Sequence, residues 1–112
     1  VLKDAEALAR QLPGRHTPLG YALNSLAMLA IDRGDYAAVP ALVAESRENY
    51  SPRHADVTRA DSAGAWSLNT SAEGLLRIRQ GRPSEALPLL DSVYQVAVAR
   101  RSVRGLARVQ LY

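Results

Sequence analysis

Apolar positions along the chain recur at helical spacing. Leu19, Leu23, Leu26 and Ala30 stand four, three and four residues apart, and Ala22, Leu29 and Ile31 widen the stripe. That period marks a helix with one buried face. Thr17 reads as its N-cap and Pro18 as its first residue, where a missing N–H costs nothing. Gly34 ends it, since a left-handed C-terminal residue is best supplied by glycine. Before it, Val1 to Leu12 predicts a first helix, with Leu8 and Leu12 four apart and Pro13-Gly14 as the stop. After it, Asp35 is expected to cap a third helix over Tyr36 to about Asn49, facing Val39, Leu42, Val43 and Ser46 inward, with Pro40 tolerated near its first turn. The polar, proline-containing stretch Asn49 to Ala60 reads as a loop. A fourth helix is predicted over about Asp61 to Gln80, with Trp66, Leu68, Ala72, Leu75, Leu76 and Ile78 apolar and Gly81 as its end. A fifth begins at Pro83 and buries Ala86, Leu87, Leu90, Val93, Tyr94 and Ala97, and a sixth starts near Ser102.

The very short links at Gly34 and Gly81 force neighbouring helices to lie antiparallel and in contact. Placing Gly34 over Gly81 also brings the two halves into register. Ala27 and Gly74 each stand seven before the glycine, and Val39 and Ala86 each stand five after it. A small residue where two helices cross closely lets the backbones approach, and the corner glycine supplies the positive φ. The phrases Gly34-Asp35-Tyr36-Ala37-Ala38-Val39 and Gly81-Arg82-Pro83-Ser84-Glu85-Ala86-Leu87 resemble the tetratricopeptide family, whose helix-turn-helix units stack into a superhelix. The resemblance departs from the family in its offset, 47 residues here against about 34. Ala30 and Arg77 also stand where a large aromatic is usual, and Pro52, near the end of the first unit, has no counterpart in the second.

The segment Gln80-Gly81-Arg82-Pro83-Ser84-Glu85-Ala86-Leu87-Pro88-Leu89-Leu90, with the long helix that follows it to Ala99-Arg100-Arg101 and the start at Ser102-Val103, is similar to the helical repeat region of MalT-like regulators. In those LuxR-type transcription activators such an array lies between a nucleotide-binding module and a DNA-binding helix-turn-helix, and it senses an inducer or docks a partner. The resemblance implies a bacterial, cytoplasmic regulator that meets DNA only through a separate domain.

Composition supports the all-α reading. Alanine and leucine dominate, Phe and Cys are absent, and one Trp is present; a β-sandwich draws on more aromatic and β-branched residues. No cysteine means neither a disulfide framework nor a thiolate metal site. No apolar run approaches the ~20 residues of a membrane span, and both ends read as cuts in a longer protein. The net charge of +3 is uneven: residues 73–112 hold seven arginines against Glu73, Glu85 and Asp91. Such an end suits an acidic partner or nucleic acid, but arginines solvated on outer helix faces are the simpler reading.

Catalytic constellations are missing from the sequence. His16 and His54 are expected as separate, solvated loop residues, with His54 at most bonding Asp56 locally. Lys3 is the sole lysine, no glycine-rich phosphate loop precedes it, and no Gly-x-Ser-x-Gly elbow occurs. Trp66 and Tyr94 read as packing residues. The expectation is a non-catalytic, cofactor-free, metal-free domain over residues 1–112: antiparallel hairpins in a tetratricopeptide-like superhelix of about six helices. Its binding surface is the concave face lined by the first helix of each hairpin, with Tyr21, Asn24 and Met28 from one unit and Leu68, Ser71, Leu75 and Arg79 from the other. Suitable occupants are a protein, a peptide or a small effector, and the flanks of the array pack on adjacent repeats of a parent chain. Val103, Leu106, Val109 and Leu111 on the last helix offer a surface for a homodimer. A helical accessory domain of a multidomain kinase or cyclase, or a generic tetratricopeptide module for protein–protein interaction, is the alternative reading.

Overall fold

The computed structural model describes residues 2–11 and 16–111, with Leu2, Ala9 and residues 101–111 described by backbone only. Five α-helices run in order: α1 (Leu2–Gln11), α2 (His16–Arg33), α3 (Val39–Asn49), α4 (Arg59–Arg79) and α5 (Pro83–Leu111), with a 3-10 turn at Tyr36–Ala38 leading into α3. Among the described residues there is no strand. The expected break near Ser102 does not occur, because α5 continues unbroken to Leu111, and the α-helices among the described residues number five, not six. Val1, Leu12, Pro13 and Gly14 lie outside the described residues, as do the side chains of Val103, Leu106, Val109 and Leu111.

Both predicted corners are present, in the same conformation. Gly34 and Gly81 are the glycines at positive φ, 78° and 76°. At the first, Gly34 donates to the Ile31 carbonyl and Asp35 to the Ala30 carbonyl; at the second, Gly81 donates to Ile78 and Arg82 to Arg77. Each is the paired bond pattern that satisfies the orphan carbonyls of a helix end. The chain then folds back, so that α2 lies against α3 and α4 against α5, while α4 also rests on α2 and α3. The result is two hairpins side by side, with α1 leaning on α2.

Helix starts depart from expectation in three places. Thr17 falls inside the first turn of α2, not ahead of it, and its hydroxyl is buried without a hydrogen-bond partner. Asp35 precedes the 3-10 turn with no capping bond from its side chain. Pro40 still occupies the first turn of α3, where a missing N–H is harmless. The polar stretch is a run of turns, and α4 opens two residues early because Thr58 and Asp61 cap it reciprocally. The Asp61 N–H donates to the Thr58 hydroxyl, and the Thr58 N–H donates to the Asp61 carboxylate.

Ala27, Ile31, Val39, Val43, Ala72 and Leu76 form the main core, which lies where α2, α3 and α4 meet. As expected, Ala27 and Gly74 sit at the hairpin crossings: Ala27 is fully buried, and a Cβ on Gly74 would stand 2.7 Å from the Leu90 side chain. The Val43 that matches Leu90 lies in the core cluster with Ala27. One hairpin therefore uses Ala with Val and the other Gly with Leu, an exchange that moves one carbon across the crossing and conserves volume. The buried face of α5 differs from expectation. Ala86 is buried and Leu90 and Val93 are half-buried, but Ala97 is exposed and Leu87 and Tyr94 are 67% and 63% exposed.

Candidate functional site

The face predicted for binding is assembled by register. Tyr21 on α2 matches Leu68 on α4, Met28 matches Leu75, and Asp32 matches Arg79, each pair at the same offset as the corner glycines. α2 and α4 pack against one another. Tyr21, Met28 and Leu68 are exposed, Leu75 and Ser71 are half-buried, and Arg79 is exposed. Arg79 closes one end of the face by reaching Asp32 across the two helices at 3.8 Å. An exposed pair at this distance holds its geometry weakly, so the end of the face is polar without being locked.

Asn24 is the exception among the predicted residues. It is buried, and its amide donates to the Asn69 side-chain carbonyl at 3.0 Å. Asn69 in turn donates to the Ser46 hydroxyl at 3.1 Å, and that hydroxyl donates to the Gly20 carbonyl at 2.7 Å. The chain of bonds links α2, α3 and α4 beneath the face. Asn24 therefore supports the surface from below and does not line it. The Gly20 position has its own requirement: a Cβ there would meet the Tyr50 ring at 2.6 Å. Burial raises the Tyr50 phenol above its ordinary value, with the Asp61 charge adding to the shift.

The structure also brings together residues that the sequence set apart. The His16 and His54 rings stack with centroids 3.7 Å apart and planes 10° from parallel. Asp56 bonds His16 and not its near neighbour His54: its carboxylate takes the His16 backbone N–H at 3.0 Å and lies 2.6 Å from Nδ1. Desolvation pushes the Asp56 carboxyl upward, but the hydrogen bonds from His16 outweigh it and the group sits below its ordinary value. His54 Nε2 lies 3.0 Å from the Glu48 carbonyl, and Glu48 also pairs with Arg53. This cluster fastens the loop after α3 to the start of α2. Neither histidine is the solvated loop residue expected, since both side chains are about four-fifths covered. Among the described residues no group of three or more His, Asp or Glu is placed to hold a metal ion.

The concavities lie beside the predicted face. One, about 580 Å³, opens between the end of α3, the loop and the start of α4, against Arg47, Glu48, Tyr50, Pro52 and Trp66. A second, about 530 Å³, separates α1 from the first hairpin over Leu26, Leu29 and Leu42, with Lys3 and Arg33 among its lining. Trp66, expected as packing, is 38% exposed at the rim of the first. Single-sequence periodicity misses both crevices because they arise where three segments fail to close. Among the described residues no helix is long and apolar enough to cross a membrane.

Comparison with models of protein families, with curated proteins and with solved structures finds no match to this chain.

Proposed function

We propose that this chain is a non-catalytic binding segment, a tetratricopeptide-like array of a MalT-like, LuxR-type bacterial regulator that works in the cytoplasm and uses the α2–α4 face to take a peptide or a helix of a partner protein. One observation carries the reading. Equivalent positions of the two hairpins, Tyr21 and Leu68, both leave apolar side chains exposed, with Met28 exposed and its counterpart Leu75 half-buried, on helices that pack against one another. Scattered exposed apolar residues are ordinary; a row in register across two helices is what a peptide-binding groove uses. The Asp32 and Arg79 pair gives the row a polar end that orients an occupant. In the regulator reading, DNA contact belongs to another domain of the parent protein.

Selection of displayed 12-residue peptides against the folded chain tests the binding role, with a Tyr21→Glu, Leu68→Glu double variant as counter-target. Both side chains are largely exposed, so the variant keeps the fold. Peptides that bind the natural chain and lose the variant are the expected result. Peptides that bind both equally, or none at all, overturn the assignment of this face. The regulator role stands on the parent gene: a phosphate-loop module before the array and a helix-turn-helix after it support the role, and their absence removes it.

A further inference from the structure

We propose that the stacked rings of His16 and His54 form a proton-operated clasp, which holds the turns between α3 and α4 on the start of α2 while at most one ring is charged and releases them when both are. This inference does not depend on the α2–α4 face. The rings come from distant segments, one from the first turn of α2 and one from the turns after α3, and they are the two histidines of the chain. They lie 3.7 Å apart and 10° from parallel, and each side chain is about four-fifths covered. Each ring also has one nitrogen occupied. His16 Nδ1 lies 2.6 Å from the Asp56 carboxylate, and His54 Nε2 lies 3.0 Å from the Glu48 carbonyl. Carboxylate and carbonyl oxygens only accept, so both nitrogens donate. A further proton goes to the other nitrogen of a ring and gives that ring a full charge.

The charges around the stack decide how many protons it holds. Among the described residues, Asp56 faces His16, and Glu48 at the end of α3 faces His54 with its carboxylate 3.4 Å from Nε2. Arg53, from the same turns, pairs with Glu48. Arg15, next to His16 in sequence, lies outside the described residues. Desolvation pushes the Asp56 carboxyl upward, but the bonds from His16 hold it below its ordinary value, so it stays charged where imidazole titrates. Two carboxylates and one guanidinium leave a single negative charge around the rings. The first proton balances it. The second leaves positive charge in excess and sets two like charges 3.7 Å apart in a largely covered place. Release returns both rings to water, so the released form binds more protons and falling pH favours it. The turns so freed carry Ser51 and Pro52, which wall the crevice of about 580 Å³ against Trp66. Acid therefore opens that crevice.

Trp66 is the one tryptophan of the chain, so its fluorescence reads the crevice directly. Emission of the whole chain, followed from about pH 8 to about pH 5, the range of imidazole charge change, should shift to longer wavelength and become more open to a neutral quencher. Circular dichroism should keep its helical signal over the same range. His54→Phe keeps a flat ring in the stack and removes its charge, and its emission should not respond to pH. Asp56→Asn removes the counter-charge and should move the shift to higher pH. Emission that stays constant down to the acid end overturns the proposal. A shift that persists in His54→Phe overturns it as well, and places the response on the carboxylates. Loss of helix at the same midpoint as the emission change would mean unfolding of the whole chain, with no clasp.

Discussion

In the first hairpin a second close approach, Gly20 beneath the Tyr50 ring at the end of α3, accompanies the crossing at Ala27, and the Ser46 hydroxyl ties it to Asn69 of the next unit. In the second hairpin those positions hold Ser67, Ala97 and Val93, and the close approach moves to Gly74 against Leu90. Two hairpins of one register therefore reach the same geometry by different chemistry. A buried hydroxyl and amide are tolerable only where their hydrogen-bonding capacity is met. Ser46 meets that condition because α4 arrives with Asn69; Val93, on a helix with no described neighbour bringing an amide, is apolar. α3 packs on both α2 and α4, whereas α5 packs principally on α4.

The largest effect is expected from breaking the polar link of the first hairpin. Asn69→Ala removes the group that both donates to Ser46 and accepts from Asn24. It leaves a buried donor on Asn24 and a small void among three helices. A loss of about 3 kcal/mol in unfolding free energy follows, read from chemical denaturation. A loss below about 1 kcal/mol would mean that water or a local shift replaces the amide, and the link would not distinguish the two hairpins.

The two crossing glycines sharpen the comparison further. In Gly20→Ala the new methyl meets an aromatic ring that is itself buried, with the Ser46 carbonyl at 3.3 Å on its other side. Overpacking exceeds the gain in helix propensity, and a net loss of about 2 kcal/mol is expected. In Gly74→Ala the methyl meets the half-buried Leu90 side chain, Cδ2 at 2.7 Å and Cγ at 2.9 Å, with no backbone atom among its nearest neighbours. There the propensity gain of about 1 kcal/mol offsets most of the strain. Thermal midpoints of the two variants should separate clearly, with Gly20→Ala the lower. Equal midpoints would sink the claim that the first hairpin is the tighter of the two.

Much of this architecture was legible in the chain, for identifiable reasons. The corners at Gly34 and Gly81 are set by a local demand, positive φ, that few residues other than glycine meet. The crossing at Ala27 and Gly74 follows from size alone. The misses are tertiary. Asn24 reads as a surface residue, because nothing in the sequence says that its amide will face that of Asn69 across α2 and α4. The His16 and His54 stack depends on a loop closing over the start of α2. Leu87 and Tyr94 read as core because helical periodicity counts apolar edges without telling which edge has a neighbour. The capping box at Thr58 and Asp61 is written in the sequence, and it starts the helix ahead of the Asp61 at which the apolar pattern alone would begin it.

The smallest effect tests the part of the comparison in which the hairpins are alike. Gly34 and Gly81 share their φ and their hydrogen bonds, and a Cβ at either would touch nothing within 4 Å. Substitution by alanine at either corner is therefore a matter of backbone strain alone, about 1 kcal/mol for an L-residue held in the left-handed region. Gly34→Ala and Gly81→Ala should lower unfolding free energy by the same amount within error, although the first corner borders the main core and the second leads into the open helix. A substantially greater loss at Gly34 would show that the corners are equivalent in shape and unequal in what they hold. The register that places Tyr21 with Leu68, and Arg47 with Tyr94, would then describe geometry without energetic equivalence.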